Sequence, residues 1–169
     1  MRKYEVKKGK HDFSPITWPS FHRDVEGFTL TVQSNATCRY LLDGVDQMDW
    51  NKLFGLSYSW TSNKFNTVYT GFRYDPVTDM FEVAGYINDK GGKAWTKAVQ
   101  VPIGEAVIIH ARFLQDRIEY TFKVGAKEFV YQLPITFSTS GLGRKVGMWF
   151  GGNQVAPRTF HLHSTFNVW

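Results

Sequence analysis

The sequence predicts an all-β fold, an antiparallel β-sandwich. Three observations lead there. About ten short segments alternate apolar and polar residues. Turn residues punctuate them at intervals of roughly 8–12 residues, the rhythm of a sandwich or barrel. No stretch shows convincing amphipathic helical periodicity, and residues 46–54 offer the only plausible helical turn.

Residues 28–33 alternate and are rich in β-branched side chains, so they read as the first clear strand. Residues 53–60 form a second and 67–74 a third. The third ends at Asp75-Pro76 and Thr78-Asp79, and 80–87 follow, which makes a hairpin. Another turn at 88–93 leads into a strand over 95–101, closed by Pro102. Residues 106–114, 118–124 and 128–133, joined by short polar turns, read as a three-stranded meander. Residues 145–150 and 160–168 complete the set.

Alternation assigns side chains to faces. Val68, Thr70, Phe72 and Tyr74 share a core face, with Tyr69 and Arg73 opposite. Phe81, Val83 and Ile87 oppose Glu82, Ala84 and Tyr86. Val107, Ile109, Ala111 and Phe113 oppose His110 and Arg112. The expectation is one concave sheet face bearing Tyr69, Arg73, Tyr86, His110, Arg112 and Trp149, with Asn153 presented from the loop after Gly151-Gly152. Flat rings pack on sugar C–H groups, and Arg, His and Asn bond sugar hydroxyls, so this set fits a glycan. Tyr, Trp and Arg equally suit a protein partner.

The 169 residues, 43% hydrophobic and 21% charged, suit one globular domain rather than a disordered chain. No apolar run approaches the ~20 residues of a membrane span. The formal net charge is +5, and most of the excess sits in Arg2, Lys3, Lys7, Lys8 and Lys10 against Glu5. These five are expected to form a basic N-terminal docking arm, residues 1–12, ahead of a single sandwich domain, 13–169. An arm without a wider basic face disfavours nucleic acid. No apolar stretch of signal-peptide length follows the basic start, so the sequon at Asn35 reads as chance.

Catalytic patterns are sparse. Glu82 and Glu119 are the only acids near strand centres on polar faces, and a glycosidase needs two carboxyls flanking one bond. Asp43, Asp46 and Asp49 read as a loop or helix-capping run rather than a calcium site. His161 and His163 share a face, but no third metal ligand is evident. Cys38 reads as a buried structural thiol, since no activating partner accompanies it. No catalytic residues, metal or cofactor are therefore expected.

The runs 49–56 (D-W-N-K-L-F-G-L), 71–74 (G-F-R-Y) and 149–157 (W-F-G-G-N-Q-V-A-P), with Ile103-Gly104 and the meander after it, resemble a family. It comprises small uncharacterised proteins of Bacteroidetes and their phages. More remotely, the chain resembles concanavalin A-like jelly rolls, lectin-like folds. Where related chains tend to show histidines, this one has Trp60-Thr61-Ser62-Asn63. The resemblance implies a non-catalytic virion component, such as a capsid decoration, head fibre or tail accessory protein. It would assemble in the host cytoplasm and meet other virion proteins or a cell-surface glycan. The alternative is a carbohydrate-binding module at the cell surface or outside it; a polysaccharide hydrolase ranks last. No membrane partner is expected, and self-association is left open.

Overall fold

The computed structural model describes residues 1–60, 62–90, 92–151 and 153–169. Fourteen strands run along them: β1 (Arg2–Val6), β2 (Phe13–Ser14), β3 (Phe21–Arg23), β4 (Gly27–Gln33), β5 (Asn51–Ser57), β6 (Thr67–Asp75), β7 (Met80–Asp89), β8 (Gly92–Trp95), β9 (Val99–Pro102), β10 (Ala106–Phe113), β11 (Arg117–Val124), β12 (Lys127–Pro134), β13 (Leu142–Val146) and β14 (Phe160–Val168). They form two antiparallel sheets. The first has the order β12-β11-β10-β4-β14-β1-β2. The second has the order β3-β13-β5-β6-β7-β8, with β9 also on β7. The chain is an antiparallel β-sandwich, as its alternation predicts, and of the jelly-roll type that its resemblance implies.

The inward residues of both sheets interleave into one core. Phe28, Leu30 and Val32 of β4 face it with Val107, Ile109 and Ala111 of β10, and Val68 and Phe72 of β6 approach from the other sheet. All are fully buried. Tyr120 of β11 crosses the sandwich and donates its hydroxyl to the Tyr69 carbonyl at 2.8 Å. Its ring fills the place where a Cβ on Gly85 would stand, 2.4 Å from the nearest ring atom. The bare backbone of Gly85 therefore makes room for the polar end of a core tyrosine to reach its acceptor.

Three expectations change. Residues 1–12 are not a free arm. Arg2–Val6 pairs with β14, from Arg2 opposite Ser164 to Val6 opposite Phe160, and buries Tyr4 and Val6. The lysines at outward positions disguise the alternation of a genuine strand. Beyond it, Gly9 and Lys10 bond the backbone of Ala156, so Lys7, Lys8 and Lys10 sit on a tethered turn, and Arg2 lies 5.9 Å over the Tyr4 ring. Second, the strand expected over 95–101 is two. Both pair with β7, and between them Thr96 bonds Gly85 through backbone and hydroxyl. Third, the helical turn is a 3-10 segment, Gly44–Met48, flanked by Asp43 and Asp49 at its caps. Residues 51–54 belong instead to β5, because Leu53 and Phe54 are needed in the core.

Candidate functional site

Three cross-strand rows on the outer face of the second sheet build the site. Tyr69 of β6, Tyr86 of β7 and Trp95 of β8 are direct partners across the sheet. Tyr86 and Trp95 lie parallel with ring centroids 6.2 Å apart. The adjoining row runs Ser57, Thr67, Asn88 and Lys93. A third row places Lys52 beside Gly71 and Ala84. Small residues there admit Trp50, whose ring sits 3.1 Å from where a Gly71 Cβ would be. Trp50, Tyr69, Ala84, Tyr86 and Val146 thus form a second apolar cluster outside the main core.

Segments between strands raise walls around this floor. The stretch from Asp12 to Thr17 forms one side, anchored where Asp12 bridges Trp149. Trp149 and Lys52 exchange backbone hydrogen bonds of 2.8 and 2.9 Å. His11 stacks on the Trp149 ring, centroids 4.9 Å apart and nearly parallel, and donates from Nδ1 to the Phe150 carbonyl. Opposite, Asn63 pins the loop after β5: its Oδ1 accepts from Arg144 and its carbonyl accepts from Asn88. The result is a cleft of about 910 Å³, lined by Tyr69, Lys52, Lys64, Lys93, Asn88 and Trp149 among others. That volume lies within the range of small-ligand sites, roughly 300–1,000 Å³.

Charge in the cleft is one-sided. Lys52, Lys64 and Lys93 face it against one carboxylate, Asp12. None of the three lysines joins an ion pair among the described residues. Burial, and then the neighbouring Lys93 ammonium, lower the Lys52 pKa from its ordinary value, with Asp49 opposing. Burial raises the Tyr69 phenol, and pushes Tyr86 up to about 12 with help from Asp49. Both phenols therefore remain neutral donors near neutral pH. Asn88 is buried, its Nδ2 donates to the Asn63 carbonyl, and its Oδ1 has no partner among the described residues.

Tyr69 and Trp149 line the cleft, and Tyr86 is the cross-strand partner of Tyr69 beside it. Arg73 shares the face but is engaged: Nε contacts Glu82 at 2.7 Å, Nη1 donates to the Met48 carbonyl, and the guanidinium lies 4.3 Å from the Trp50 ring centre. Asn153 is exposed on the loop beyond the corner and does not line the cleft. Gly151 takes φ +73° at that corner. Gly152, with Gly91 of the 88–93 turn and Thr61 of the Trp60-Thr61 run, lies outside the described residues.

His110 and Arg112 are the corrections. They stand on β10, on the outer face of the first sheet, on the opposite side of the sandwich. His110 bonds the Thr29 hydroxyl at 2.9 Å, and the Trp169 indole donates to that same oxygen. Alternation separates inward from outward but cannot say which sheet a strand joins. For the same reason Glu82 and Glu119 do not flank a common bond. Glu119 is on β11, accepting from Gln132, while Glu82 faces out of the other sheet beside Arg73.

His161 and His163 are edge to face at 6.2 Å. Among the described residues no cluster of three or more metal-ligating side chains forms. Cys38 is buried, its thiol raised to about 11 by burial, and it donates to the His161 carbonyl.

The lysines and asparagines were missed in the sequence. Lys52 stood in an outward position between Asn51 and Leu53, but Lys64 and Lys93 lie on a loop and a hairpin end where period-two reasoning gives no direction.

No known protein family matches the chain, and no curated protein sequence does. Several solved structures resemble the chain. Scytalido-glutamic peptidase, solved with a transition-state analogue inhibitor, matches with a TM-score of 0.54 at 8% identity, over 98% of this chain and 81% of that one. Chicken galectin 2 gives 0.39 at 11% identity, over 98% of both chains. CG-16, a homodimeric agglutinin from chicken liver, gives 0.35 at 13%, over 89% of this chain and 100% of that one. The peptidase likeness extends to the fold alone, and the two lectins superpose too loosely to bear on function.

Proposed function

We propose that this protein is a non-catalytic glycan-binding sandwich whose site is the cleft over Tyr69. The observation that carries the reading is the aromatic and amide lining of one walled cleft. Trp149 is 40% exposed, with one ring face taken by His11, so the ring remains available to an incoming sugar. The neutral Tyr69 phenol supplies a hydrogen bond beside it. The fully occupied Arg73–Glu82 pair works as a strut under Trp50 rather than as a ligand contact.

The setting is a separate proposal. A phage particle, as capsid decoration, head fibre or tail accessory, rests on the sequence resemblance. Docking there would use a folded surface, since Arg2 and Lys3 lie within β1 and Lys7, Lys8 and Lys10 on the turn after it. Finding the protein in purified virions by mass spectrometry supports that setting; its absence from them removes it. Glycan recognition is tested on an array. Binding that disappears in Trp149→Ala and persists in Arg112→Ala supports the cleft, whereas a blank array ends the reading.

A further inference from the structure

From the charge lining the cleft, we propose that its ligand is an acidic saccharide, one carrying carboxylate or sulfate groups, held by Lys52, Lys64 and Lys93. The inference rests on the glycan reading above and names the class of glycan. Three independent walls contribute one lysine each: Lys52 from β5, Lys64 from the pinned loop and Lys93 from the end of the β7–β8 hairpin. Surface lysines are usually dispersed or answered by carboxylates. Here, three converge on one volume with a single aspartate, and the ion pairs of the described residues all lie elsewhere.

Convergence of like charge raises the energy of the empty cleft and is relieved by an anion. Lys52 shows this most directly. It is partly buried, and its ammonium lies 5.5 Å from the Tyr86 ring centre, where the ring face accepts the charge but contributes no counter-ion. A neutral sugar would leave the three ammonium groups with only Asp12 in the cleft and the influence of Asp49 on Lys52 to answer them, while displacing their water. A charged saccharide answers them and still presents C–H faces to Trp149 and hydroxyls to Tyr69. A simple anion would answer the charge but leave the aromatic floor and the length of the cleft unused.

The test is calorimetric titration at low and moderate salt with matched trimers. Neutral, uronic and sulfated trisaccharides on galactose, glucose and mannose backbones are compared, with triglutamate as a sugarless anion. The expected result is binding of at least one acidic series about tenfold or more above its neutral counterpart, weakening as salt rises. Which acid wins separates carboxylate from sulfate. Lys52→Gln and Lys93→Gln should each cost about tenfold on the acidic trimer and leave any neutral binding unchanged. Lys64→Gln is the safeguard, because this exposed side chain can be changed without disturbing packing.

Equal affinity for neutral and acidic trimers, dependent on Trp149, would overturn the charge assignment while leaving glycan binding intact. Triglutamate binding as tightly as the acidic sugars would overturn it in favour of a plain anion site. Failure of every saccharide would overturn both this inference and the reading beneath it.

Discussion

The two outer faces of this sandwich start from the same binary pattern and end differently. On the first sheet, the outward residues are Thr29, Thr31, His110, Arg112, Thr121 and Lys123, and they meet one another: Lys123 with Glu128, His110 with Thr29. That face is self-satisfied. On the second, aromatic and small residues (Tyr69, Tyr86, Gly71 and Ala84) share the face with Lys52, Arg73, Glu82, Asn88 and Lys93, and the connecting segments at 12–17, 62–66 and 147–149 rise around them into a cleft. What the contrast teaches is that a site is made by what the loops do over a face, not by the face alone. His110 and Arg112 have suitable chemistry for a ligand and no walls to hold one.

The comparison can be broken hardest at the second face. Arg73→Ala strips the partner from Glu82, whose side chain is 7% exposed. It should cost about 3 kcal/mol in urea unfolding, and a loss near zero would show that the pair is solvent-screened and not a strut. Gly85→Ala drives a methyl into the Tyr120 ring and should cost about 2 kcal/mol. An unchanged midpoint would mean that the register between the sheets is looser than described.

Trp149→Ala should lower glycan affinity about tenfold, roughly 1.4 kcal/mol, with little change in unfolding, since the ring stacks only on His11 at the surface. Arg112→Ala on the other face should change stability by less than about 0.5 kcal/mol and leave affinity untouched. A drop in affinity there would move the site to the first sheet.

The smallest effect concerns pH. Burial, then Lys123, lower the His110 pKa below its ordinary 6.5, with Glu128 opposing. Its unfolded form therefore binds the proton first as pH falls. Stability is full above that ordinary value and declines as pH drops through the window down to the folded value. His110→Gln should flatten part of this decline in thermal melts at stepped pH. His161, lowered in the same direction mainly by burial, keeps the remainder, so a steeper decline in the variant would contradict the assignment.

Legibility followed length and burial. The hairpin of β6 and β7 and the meander of β10 to β12 were readable, because long strands that send every second side chain into the main core impose alternation on Val68, Phe72, Val83, Ile109 and Phe122. β1 was not, because its outward positions carry Lys3 and Glu5 and its inward side opens with Arg2, so the segment looks like a solvated tail. β2 and β3, two and three residues long, are too short to show a period. Of the site, Tyr69, Tyr86 and Trp149 were legible as outward rings. Lys64 and Lys93 were not, since their positions depend on how a loop and a hairpin end are fastened.

By itself, the order of residues determined that this chain buries one side of each long strand and stacks two antiparallel layers. Period-two hydrophobicity has no other good way to leave water. Only the tertiary structure decided which layer each strand enters. That choice separated His110 from Tyr86 and gathered lysines from three distant segments around one cleft. Strand partnership is settled by long-range backbone pairing and core volume, and neither is written in any local window of sequence.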